Sequence, residues 1–461
     1  MINSNYSIQP LLSREDLEKI HENTLKILQE TGIEIKDKKA LNIFKQNNIK
    51  VKNSRVFPDE NIIKKAVSQA PKKFKLKARN PQNTVSINKN SSILGPPLGS
   101  PFIIESENQR YTNFNDYKKL IKLIQSSEYL DLNGGDLVPV TDLENKIKYK
   151  KKFSASIKYS DKCLIGTGSG ETETQKCLKM GEKIFGKNNF KNNNYLLYMA
   201  GISSPLQFES DALNTIMNSA CYNQPVSIYS QILAGISGPS TLAGLLVQQN
   251  AEILTGLTLV QMISPGTPVI YGSFSSTTNM KTGEICTGNP LNSKIIGSTA
   301  QISNYYNLPS MTGGALTDHE KLTHQNVTES AFNLFTSLGY GIDIILFSAG
   351  ALKDYLGISY KKFLSDIEML KRIDTYNNNL KINQDTIARE VIQDIEPGGN
   401  FLTHSHTLNH LKNNNTIKDN NSAVNNKERF KNILENYEKP DLPEKIDHQL
   451  SEFLQNSLPV G

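Results

Sequence analysis

Two apolar patterns alternate along the chain: short runs of β-branched residues, and longer stretches whose apolar residues recur at helical spacing. The clearest example begins with a strand-like run at residues 226–232. Residues 242–260 then carry apolar side chains along one helix face, with Ser237 as the predicted cap and Pro239 in the first turn. Residues 269–275 form the next strand-like run. A strand, a crossover helix and a second strand predict a βαβ unit in a parallel sheet.

The same unit repeats in both directions along the chain. Strand-like runs that lead into small-residue loops and helices occur at residues 129–132, 163–165, 195–199, 226–232, 269–275, 309–314 and 342–347. An eighth strand is predicted at residues 93–94 or 401–403. Helix starts are predicted at Asn289, and at Thr317 or Asp318. Eight units would close a (β/α)8 TIM barrel, and a doubly wound open sheet is the alternative.

The predicted fold is therefore α/β, with extensions at both ends of the barrel. Residues 1–90 carry capped helices that start at Ser13, Asp37 and Asp59, together with short charged strands, and we expect a mixed α/β extension. Residues 91–411 form the predicted barrel. Residues 412–461 contain an Asn-rich loop and C-terminal helices, and a second Asn-rich loop lies at residues 187–194.

Composition narrows the functional classes. The chain has 461 residues, a net charge of +6 and scattered lysines, so a nucleic-acid-binding module is not indicated. Its four cysteines form no CxxC pair, which argues against a zinc ribbon or a disulfide framework. The first ten residues lack the pattern of a signal peptide, and the longest apolar helix contains Gln248 and Glu252. We expect a cytoplasmic enzyme.

Candidate chemistry lies where the strands end, because the site of a TIM barrel is built from the loops at that face. These loops are rich in glycine, hydroxyl and amide side chains and poor in strong nucleophiles. Aromatic residues lie on or near the same strand ends: Tyr198, Phe208, Tyr229, Tyr271, Phe274 and Phe347. Aromatic faces can hold a quaternary ammonium ion, but the same residues could simply pack the core.

Histidines give a second hypothesis. His404, His406 and His410 follow the last predicted unit, and a His-x-His pair suggests a metal-dependent barrel hydrolase. No second group of ligands at suitable spacing is evident, so we predict no metal site. Residues 166–170, GTGSG, lack the lysine of a phosphate-binding P-loop and predict a strand-to-helix turn.

Several longer sequence motifs resemble those of a known protein family. Residues 234–244 are AGISGPSTLAG, 248–252 are QQNAE, 265–272 are PGTPVIYG and 280–283 are MKTG. Shorter motifs are GGA at 313–315, SAG at 348–350, PGG at 397–399 and HTL at 406–408. Together they strongly resemble the trimethylamine methyltransferase family, from about Leu12 to about Leu411.

This resemblance implies a barrel that demethylates a methylamine and passes the methyl group to cob(I)alamin on a separate corrinoid protein. Family members that use trimethylamine carry pyrrolysine, whereas this sequence has standard residues only and resembles the non-pyrrolysine branch, which includes glycine betaine enzymes. We therefore expect a methyltransferase for a betaine-type quaternary amine, in a homo-oligomer. The chain lacks an Asp-x-His-x-x-Gly cobalamin motif, so the cofactor should arrive on the partner.

The expected chemistry needs no catalytic side chain, since cobalamin is the nucleophile and the amine leaves neutral. The positions of residues near the strand ends predict which of them bind the substrate. The aromatic ones would surround the methylammonium group: Tyr229, Tyr271, Phe274 and Phe347. The polar ones would bind the other end of the substrate or shape the passage to cobalt: Gln231, Ser273, Thr312 and His406.

Two positions depart from the family pattern. Relatives often have histidine where Phe347 stands and tryptophan where Ala351 stands, and this chain has no tryptophan. These changes alter the polarity and the aromatic surface of the expected site. They keep a third hypothesis open, a non-catalytic relative that binds a small molecule.

Overall fold

Eight parallel strands form the centre of the molecule. The computed structural model describes residues 2–3, 8–89, 91–105, 108–395, 397–413 and 426–455. The strands are β1 (Ser91–Leu94), β2 (Leu132–Gly134), β3 (Cys163–Ile165), β4 (Leu196–Ile202), β5 (Val226–Ser230), β6 (Val269–Ser273), β7 (Ser310–Gly313) and β8 (Ile344–Leu346). Each pairs with its neighbour in sequence from β2 to β8, and β8 pairs in parallel with β1. The Asp131 N–H donates to Leu94 O (2.8 Å) between β1 and β2, so the strands surround a common axis.

This arrangement confirms the TIM barrel. The doubly wound alternative was wrong, because an open sheet would not bring its last strand back beside the first. The eighth strand is the predicted one at residues 93–94, whereas residues 401–403 lie in a turn and form no strand.

A helix follows each strand. These helices are α1 (Phe114–Ser126), α2 (Asn145–Tyr159), α3 (Gly170–Phe185), α4 (Ser210–Cys221), α5 (Leu242–Ile263), α6 (Pro290–Tyr305), α7 (His324–Gly339) and α8 (Tyr360–Asn377). The predicted cap Asn289 is confirmed, since its side chain accepts from the Leu291 N–H. Two other predicted starts were several residues too early. Helix α5 is preceded by Thr241 and α7 is capped by Thr323. Thr317 instead donates to Glu329 Oε2 (2.7 Å).

Apolar side chains fill the barrel from its closed end. A hairpin of Phe74–Leu76 and Val85–Ile87 contributes Leu76, Val85 and Ile87 to the same buried cluster as Leu132 and Ile270. The Lys77 N–H donates to Asn194 O, just before β4, which places the hairpin at the amino-terminal ends of the strands. Solvent therefore reaches the interior from the opposite face.

The rest of the N-terminal extension packs on the helix layer. Its helices are Arg14–Lys26, which continues as a π-helical turn at Ile27–Thr31, then Lys38–Gln46 and Glu60–Gln69, with a short 3₁₀ turn at Pro81–Asn83. The caps predicted at Ser13, Asp37 and Asp59 are confirmed. Strands Ile33–Ile35, Lys50–Lys52 and Arg55–Phe57 form a small sheet, and its fourth strand, Gln207–Phe208, comes from the loop after β4.

Short strands surround the open end of the barrel. Phe102–Glu105 and Asn108–Tyr111 pair with Ala351–Leu352 and Gly357–Ile358, which joins the loop after β1 to the loop after β8. Thr277–Thr278 and Ile285–Cys286 form a hairpin after β6. Ile2–Asn3 pairs antiparallel with β1.

The described part of the C-terminal segment contains five helices joined by turns and coil. Its helices are Gln384–Ile387, Arg389–Asp394, Ser405–Asn413, Asn426–Glu435 and Glu444–Gln455. The last helix buries Leu450 and Phe453 against α2. Of the predicted Asn-rich loops, residues 187–191 form a short helix, and most of the loop at 412–427 lies outside the described residues. Within the described residues, every helix is too short or too polar to cross a bilayer.

Candidate functional site

A cavity of about 440 Å³ opens at the carboxyl-terminal ends of the barrel strands. Phe274 and Phe347 are buried at its floor, whereas Gln231 and Leu356 are exposed at its rim. The cavity therefore communicates with solvent on the face where TIM barrels carry their sites. Its lining consists of Leu98, Gly99, Asp136, Ile165, Gly166, Gly168, Ser169, Tyr198, Met199, Tyr229, Gln231, Phe274, Ile285, Phe347, Asp354, Tyr355 and Leu356.

Four aromatic rings stand edge to face around this cavity and form an aromatic box. Phe274 lies 5.2 Å from Tyr229 and 5.7 Å from Phe347, with interplanar angles of 83° and 77°. Tyr355 contacts Phe347 at 4.9 Å and Phe274 at 6.1 Å. Such perpendicular packing fixes each ring, and aromatic faces at a cavity can attract a cation. A second cavity of about 400 Å³ beside Lys162 has no aromatic ring in its described lining.

Tyr229 has room in the box because its neighbours on both adjacent strands are glycines. In the barrel register Tyr229 lies beside Gly201 on β4 and Gly272 on β6. A Cβ at Gly201 would lie 2.7 Å from the Tyr229 hydroxyl oxygen, and one at Gly272 would lie 2.6 Å from Tyr229 Cβ. Any side chain at either position would push the ring out of place.

The loop after β8 adopts an unusual backbone to complete the site. Phe347, Lys353, Asp354 and Tyr355 all have positive φ, between 50° and 74°. Non-glycine residues rarely occupy this left-handed region, and they do so mainly where the surroundings impose it at functional sites. Three of these four residues line the cavity.

The cavity also contains two carboxyl groups. Asp136 forms an ion pair with Lys152, whose side chain is 12% exposed. Asp354 accepts from the Thr287 N–H (3.0 Å) and the Thr287 hydroxyl (2.9 Å), and it lies against Asp318. Burial first, and then the hydrogen bond with Asp318, raise the pKa of Asp354 to about 8. Near neutral pH the Asp354 carboxyl group is therefore mostly protonated.

Similarity to known proteins covers nearly the whole chain. The model of the family "Trimethylamine methyltransferase (MTTB)" matches residues 1–457. The chain belongs to this family. It is 34% identical over 468 residues to the "Glycine betaine methyltransferase" of Desulfitobacterium hafniense (strain Y51), covering 98% of each chain. It is 30% identical over 406 residues to the "Proline betaine:corrinoid methyltransferase" of Eubacterium limosum, covering 85% of this chain and 83% of that one.

A solved structure supports the same architecture. The monomethylamine methyltransferase MtmB of Methanosarcina barkeri superimposes with a TM-score of 0.54 at 12% identity, covering 97% of this chain and 87% of that one. At this identity the likeness concerns the fold alone. It agrees with the barrel found in this member of the trimethylamine methyltransferase family.

Four of the predicted site residues meet in the cavity of this family member: Tyr229, Gln231, Phe274 and Phe347. Three others lie on the outer face of their strands, since side chains alternate between the two faces of a strand. The Tyr271 side chain is completely buried, and its hydroxyl donates to Asn250 Oδ1 (3.2 Å) on α5. The Ser273 hydroxyl donates to Gln249 Oε1 (2.6 Å), and the buried Thr312 hydroxyl donates to Gly313 O (3.3 Å).

His406 lies in the C-terminal segment and outside the cavity lining. Its Nε2 lies 3.1 Å from the Asp385 carbonyl oxygen, and His410 Nε2 lies 3.3 Å from Asp385 Oδ2. Within the described residues these three side chains are the one group with metal-ligand atoms close together, within 4.8 Å of one another. His404 is not among them. The metal-dependent hydrolase hypothesis therefore receives no support at the barrel mouth.

Asp136, Asp354 and Tyr355 also line the cavity, and they were not among the predicted substrate-binding residues. Asp136 directly follows the Gly134–Gly135 turn after β2, and this position was a usable signal. Asp354 and Tyr355 reach the cavity only because their loop takes left-handed backbone angles. No apolar pattern indicates such a conformation.

Proposed function

We propose that this protein is a corrinoid-dependent methyltransferase that takes a methyl group from a quaternary amine. The methyl group would pass to cob(I)alamin on a separate corrinoid protein. The observation that carries the proposal is the aromatic box at the barrel mouth of a chain that aligns end to end with a glycine betaine methyltransferase. Each aromatic contact with a quaternary ammonium ion contributes about 0.5–2 kcal/mol.

The reaction places few chemical demands on this chain. The N–CH₃ bond breaks with its electron pair left on nitrogen, so the positively charged amine leaves as a neutral tertiary amine without a proton donor. Cob(I)alamin, carried by the partner, would supply the nucleophile and the electron pair of the new bond to carbon. The side chains of this barrel would hold the ammonium group still and exclude water from it. That agrees with a cavity lined by rings, amides and hydroxyls rather than by a nucleophile and its base.

The rim of the cavity suits the arrival of a partner. Ile236, Met280 and Leu356 come from the loops after β5, β6 and β8, and they are 56%, 68% and 41% exposed. Contiguous exposed apolar patches, rather than single side chains, mark surfaces that contact other proteins, and Met280 Sδ lies close to Gly235, next to Ile236. We place the corrinoid protein over these three residues.

The four free cysteines support a reducing, cytoplasmic location.

The test of the proposed function is direct. The purified protein is mixed with chemically reduced cob(I)alamin and with glycine betaine, choline, carnitine or tetramethylammonium. We expect loss of the cob(I)alamin absorption and formation of the matching tertiary amine with at least one quaternary amine. No methyl transfer with any quaternary amine, either to free cob(I)alamin or to a corrinoid protein, would overturn the proposal.

The docking position has its own test. Met280→Asp and Ile236→Asp should slow methyl transfer to a corrinoid protein while leaving transfer to free cob(I)alamin unchanged. Leu380→Asp is the control, because Leu380 is 87% exposed in the C-terminal segment. Equal slowing with both acceptors would place the effect inside the cavity and contradict the docking position.

A further inference from the structure

Three metal-ligand side chains meet in the C-terminal segment, away from the barrel mouth. His406 and His410 lie one turn apart on the helix Ser405–Asn413, and Asp385 approaches them from the short helix Gln384–Ile387. We propose that these three side chains form a Zn²⁺ site that fastens the two helices together. The site lies outside the cavity lining and is independent of the proposed methyl transfer.

The two histidines have the spacing of a helical metal site. Residues i and i+4 lie on one face of a helix, and two histidines at this spacing can bind one zinc ion together. The His406 and His410 rings lie 4.2 Å apart, centroid to centroid, with an interplanar angle of 43°. No further ligand was evident in the sequence because Asp385 lies 21 residues before His406. The fold brings the third ligand to the pair.

The distances fit a tetrahedral ion. The three ligand atoms lie within 4.8 Å of one another, and His410 Nε2 lies 3.3 Å from Asp385 Oδ2. Two ligands that are each about 2.0–2.2 Å from a zinc ion lie about 3.3–3.6 Å apart in a tetrahedron. The Asp385 side chain is 71% exposed, so an ion can enter from solvent and keep water as its fourth ligand.

The ligand types select the class of metal. Imidazole nitrogen suits Zn²⁺ and its transition-metal neighbours, whereas Mg²⁺ and Ca²⁺ prefer sites made of oxygen ligands. His404 does not compete for the ion, since its Nδ1 accepts from the His406 N–H (3.1 Å) at the start of the helix. Mg²⁺ is therefore the matched ion that should fail to bind.

The segment that carries the site has little apolar burial to hold it in place. Among the described residues 378–395 and 397–410, none is buried. The large apolar side chains of this segment are 44–87% exposed: Leu380, Ile382, Ile387, Ile392, Phe401, Leu402 and Leu408. Such a segment gains little from the hydrophobic effect, and metal binding can supply the folding free energy that burial does not.

Direct contacts between the two helices are weak by comparison. His406 Nε2 lies 3.1 Å from the Asp385 carbonyl oxygen, and His410 faces the Asp385 carboxylate. Both contacts are open to solvent, and exposed contacts of this kind contribute little to stability. A shared ion would join the same three residues far more strongly, because each ligand bond also closes the loop between Asp385 and His406.

Calorimetry tests ion binding on the full chain, after removal of the purification tag and extraction of metals with EDTA. We expect one Zn²⁺ per chain and no binding of Mg²⁺. Asp385→Ala, His406→Ala and His410→Ala should each weaken Zn²⁺ at least about tenfold, since even the loss of an outer-shell partner costs about 10–100-fold. His448→Ala is the matched control, because His448 is 76% exposed and lies 3.7 Å from Glu452 at i,i+4 spacing.

Limited proteolysis tests the fastening. Arg389 is exposed and lies between Asp385 and His406 in the sequence. With free Zn²⁺ at about ten times its Kd, trypsin cleavage after Arg389 should slow about tenfold, because the bound ion lowers the population of the open segment by that factor. Lys281, exposed in the loop after β6, is the internal control, since cleavage there reports any effect of zinc on trypsin itself.

The outcomes separate ion binding from fastening. Zn²⁺ binding of equal affinity in the wild type and all three variants would identify an adventitious ion elsewhere and overturn the site. Binding that the variants abolish, with unchanged cleavage after Arg389, would support the site and overturn its fastening role. Neither measurement uses methyl transfer, so failure of the proposed function would leave this site standing.

Discussion

Lys362 and Asp366 form an ion pair on α8 that is almost entirely buried, and breaking it should be severely destabilising. The two side chains are 0% and 5% exposed, and Lys362 Nζ donates to Asp366 Oδ2 (2.6 Å). Lys362 also donates to Ala315 O (3.0 Å), and Asp366 accepts from the Gly350 N–H (2.7 Å). The pair thus joins α8 to the loops after β7 and β8.

The size of the expected destabilisation follows from the burial of both charged groups. Burial lowers the pKa of Lys362 and raises that of Asp366, and this effect is opposed by their mutual attraction and, for Asp366, by the Gly350 N–H. Lys362→Met leaves a carboxylate with one donor, and Asp366→Leu leaves an ammonium with one acceptor. Removing one partner of a buried pair costs about 3–5 kcal/mol in the free energy of unfolding.

The double variant tests the reasoning more sharply. With both charges gone, the Gly350 N–H is left without its acceptor, which costs about 1–3 kcal/mol, whereas Ala315 O still accepts from the Ser330 hydroxyl (3.3 Å). The double variant should therefore be less destabilised than the sum of the single variants by about 2 kcal/mol or more. Urea unfolding followed by circular dichroism measures all three.

Lys431→Met is the matched control. Lys431 and Glu435 have the same i,i+4 spacing, but they are 72% and 59% exposed, so the change should cost less than about 1 kcal/mol. If Lys362→Met costs no more than Lys431→Met, the buried pair does not stabilise the loops as described.

Four further predictions concern the cavity and the core. Phe274→Ala removes a ring from the aromatic box and should weaken tetramethylammonium binding by about 1–2 kcal/mol in calorimetry, whereas Phe274→Tyr should not. Gly272→Ala places a methyl group 2.6 Å from Tyr229 Cβ and should cost about 1–3 kcal/mol in unfolding and lower kcat/KM. The contribution of Asp354 to stability should fall as pH rises from about 4 to about 8, because the unfolded chain ionises Asp354 at a lower pH than the folded protein does. Asp354→Asn should remove that part of the slope in thermal melts. Phe453→Ala should cost about 3–5 kcal/mol, because the ring is 2% exposed and packs edge to face with two rings of α2.

The barrel itself was predictable because its signals are local and repeated. Each strand is a short β-branched run followed by a helix, and seven repeats leave few folds to choose from. The helix starts were harder to predict. Near α5, Ser237 has the sequence signature of a cap, yet its hydroxyl accepts from the Leu233 N–H in a tight turn (2.9 Å). A residue that satisfies a turn cannot also cap a helix.

The residues that line the cavity were only partly predictable. The sequence shows that side chains alternate between the two faces of a strand, but not which face points into the barrel. Tyr229 and Gln231 are two residues apart and share the inner face, whereas Tyr271 and Ser273 are also two apart but face α5. The spacing is the same in both strands, so periodicity alone cannot say which set faces inward. Only the register of Gly272 beside Tyr229 settles it.

Loop residues escaped prediction for a different reason. Asp354 and Tyr355 belong to a loop whose left-handed angles depend on contacts such as Asp354 N–H to Thr317 O (3.1 Å). Those contacts join segments that lie far apart in sequence. Local sequence patterns therefore cannot predict these contacts.

The strand Gln207–Phe208 also constrains the order in which the molecule can be assembled. It completes the sheet of Ile33–Ile35, although the ribosome makes those residues long before the loop after β4. Likewise β1 cannot pair with β8, and the barrel cannot close, until β8 has been synthesised. The apolar edge of the small N-terminal sheet therefore stays exposed to solvent until nearly half of the chain has been synthesised. Such late pairing slows folding and lengthens the exposure of a nascent chain to aggregation, so we expect cellular chaperones to bind this protein during synthesis.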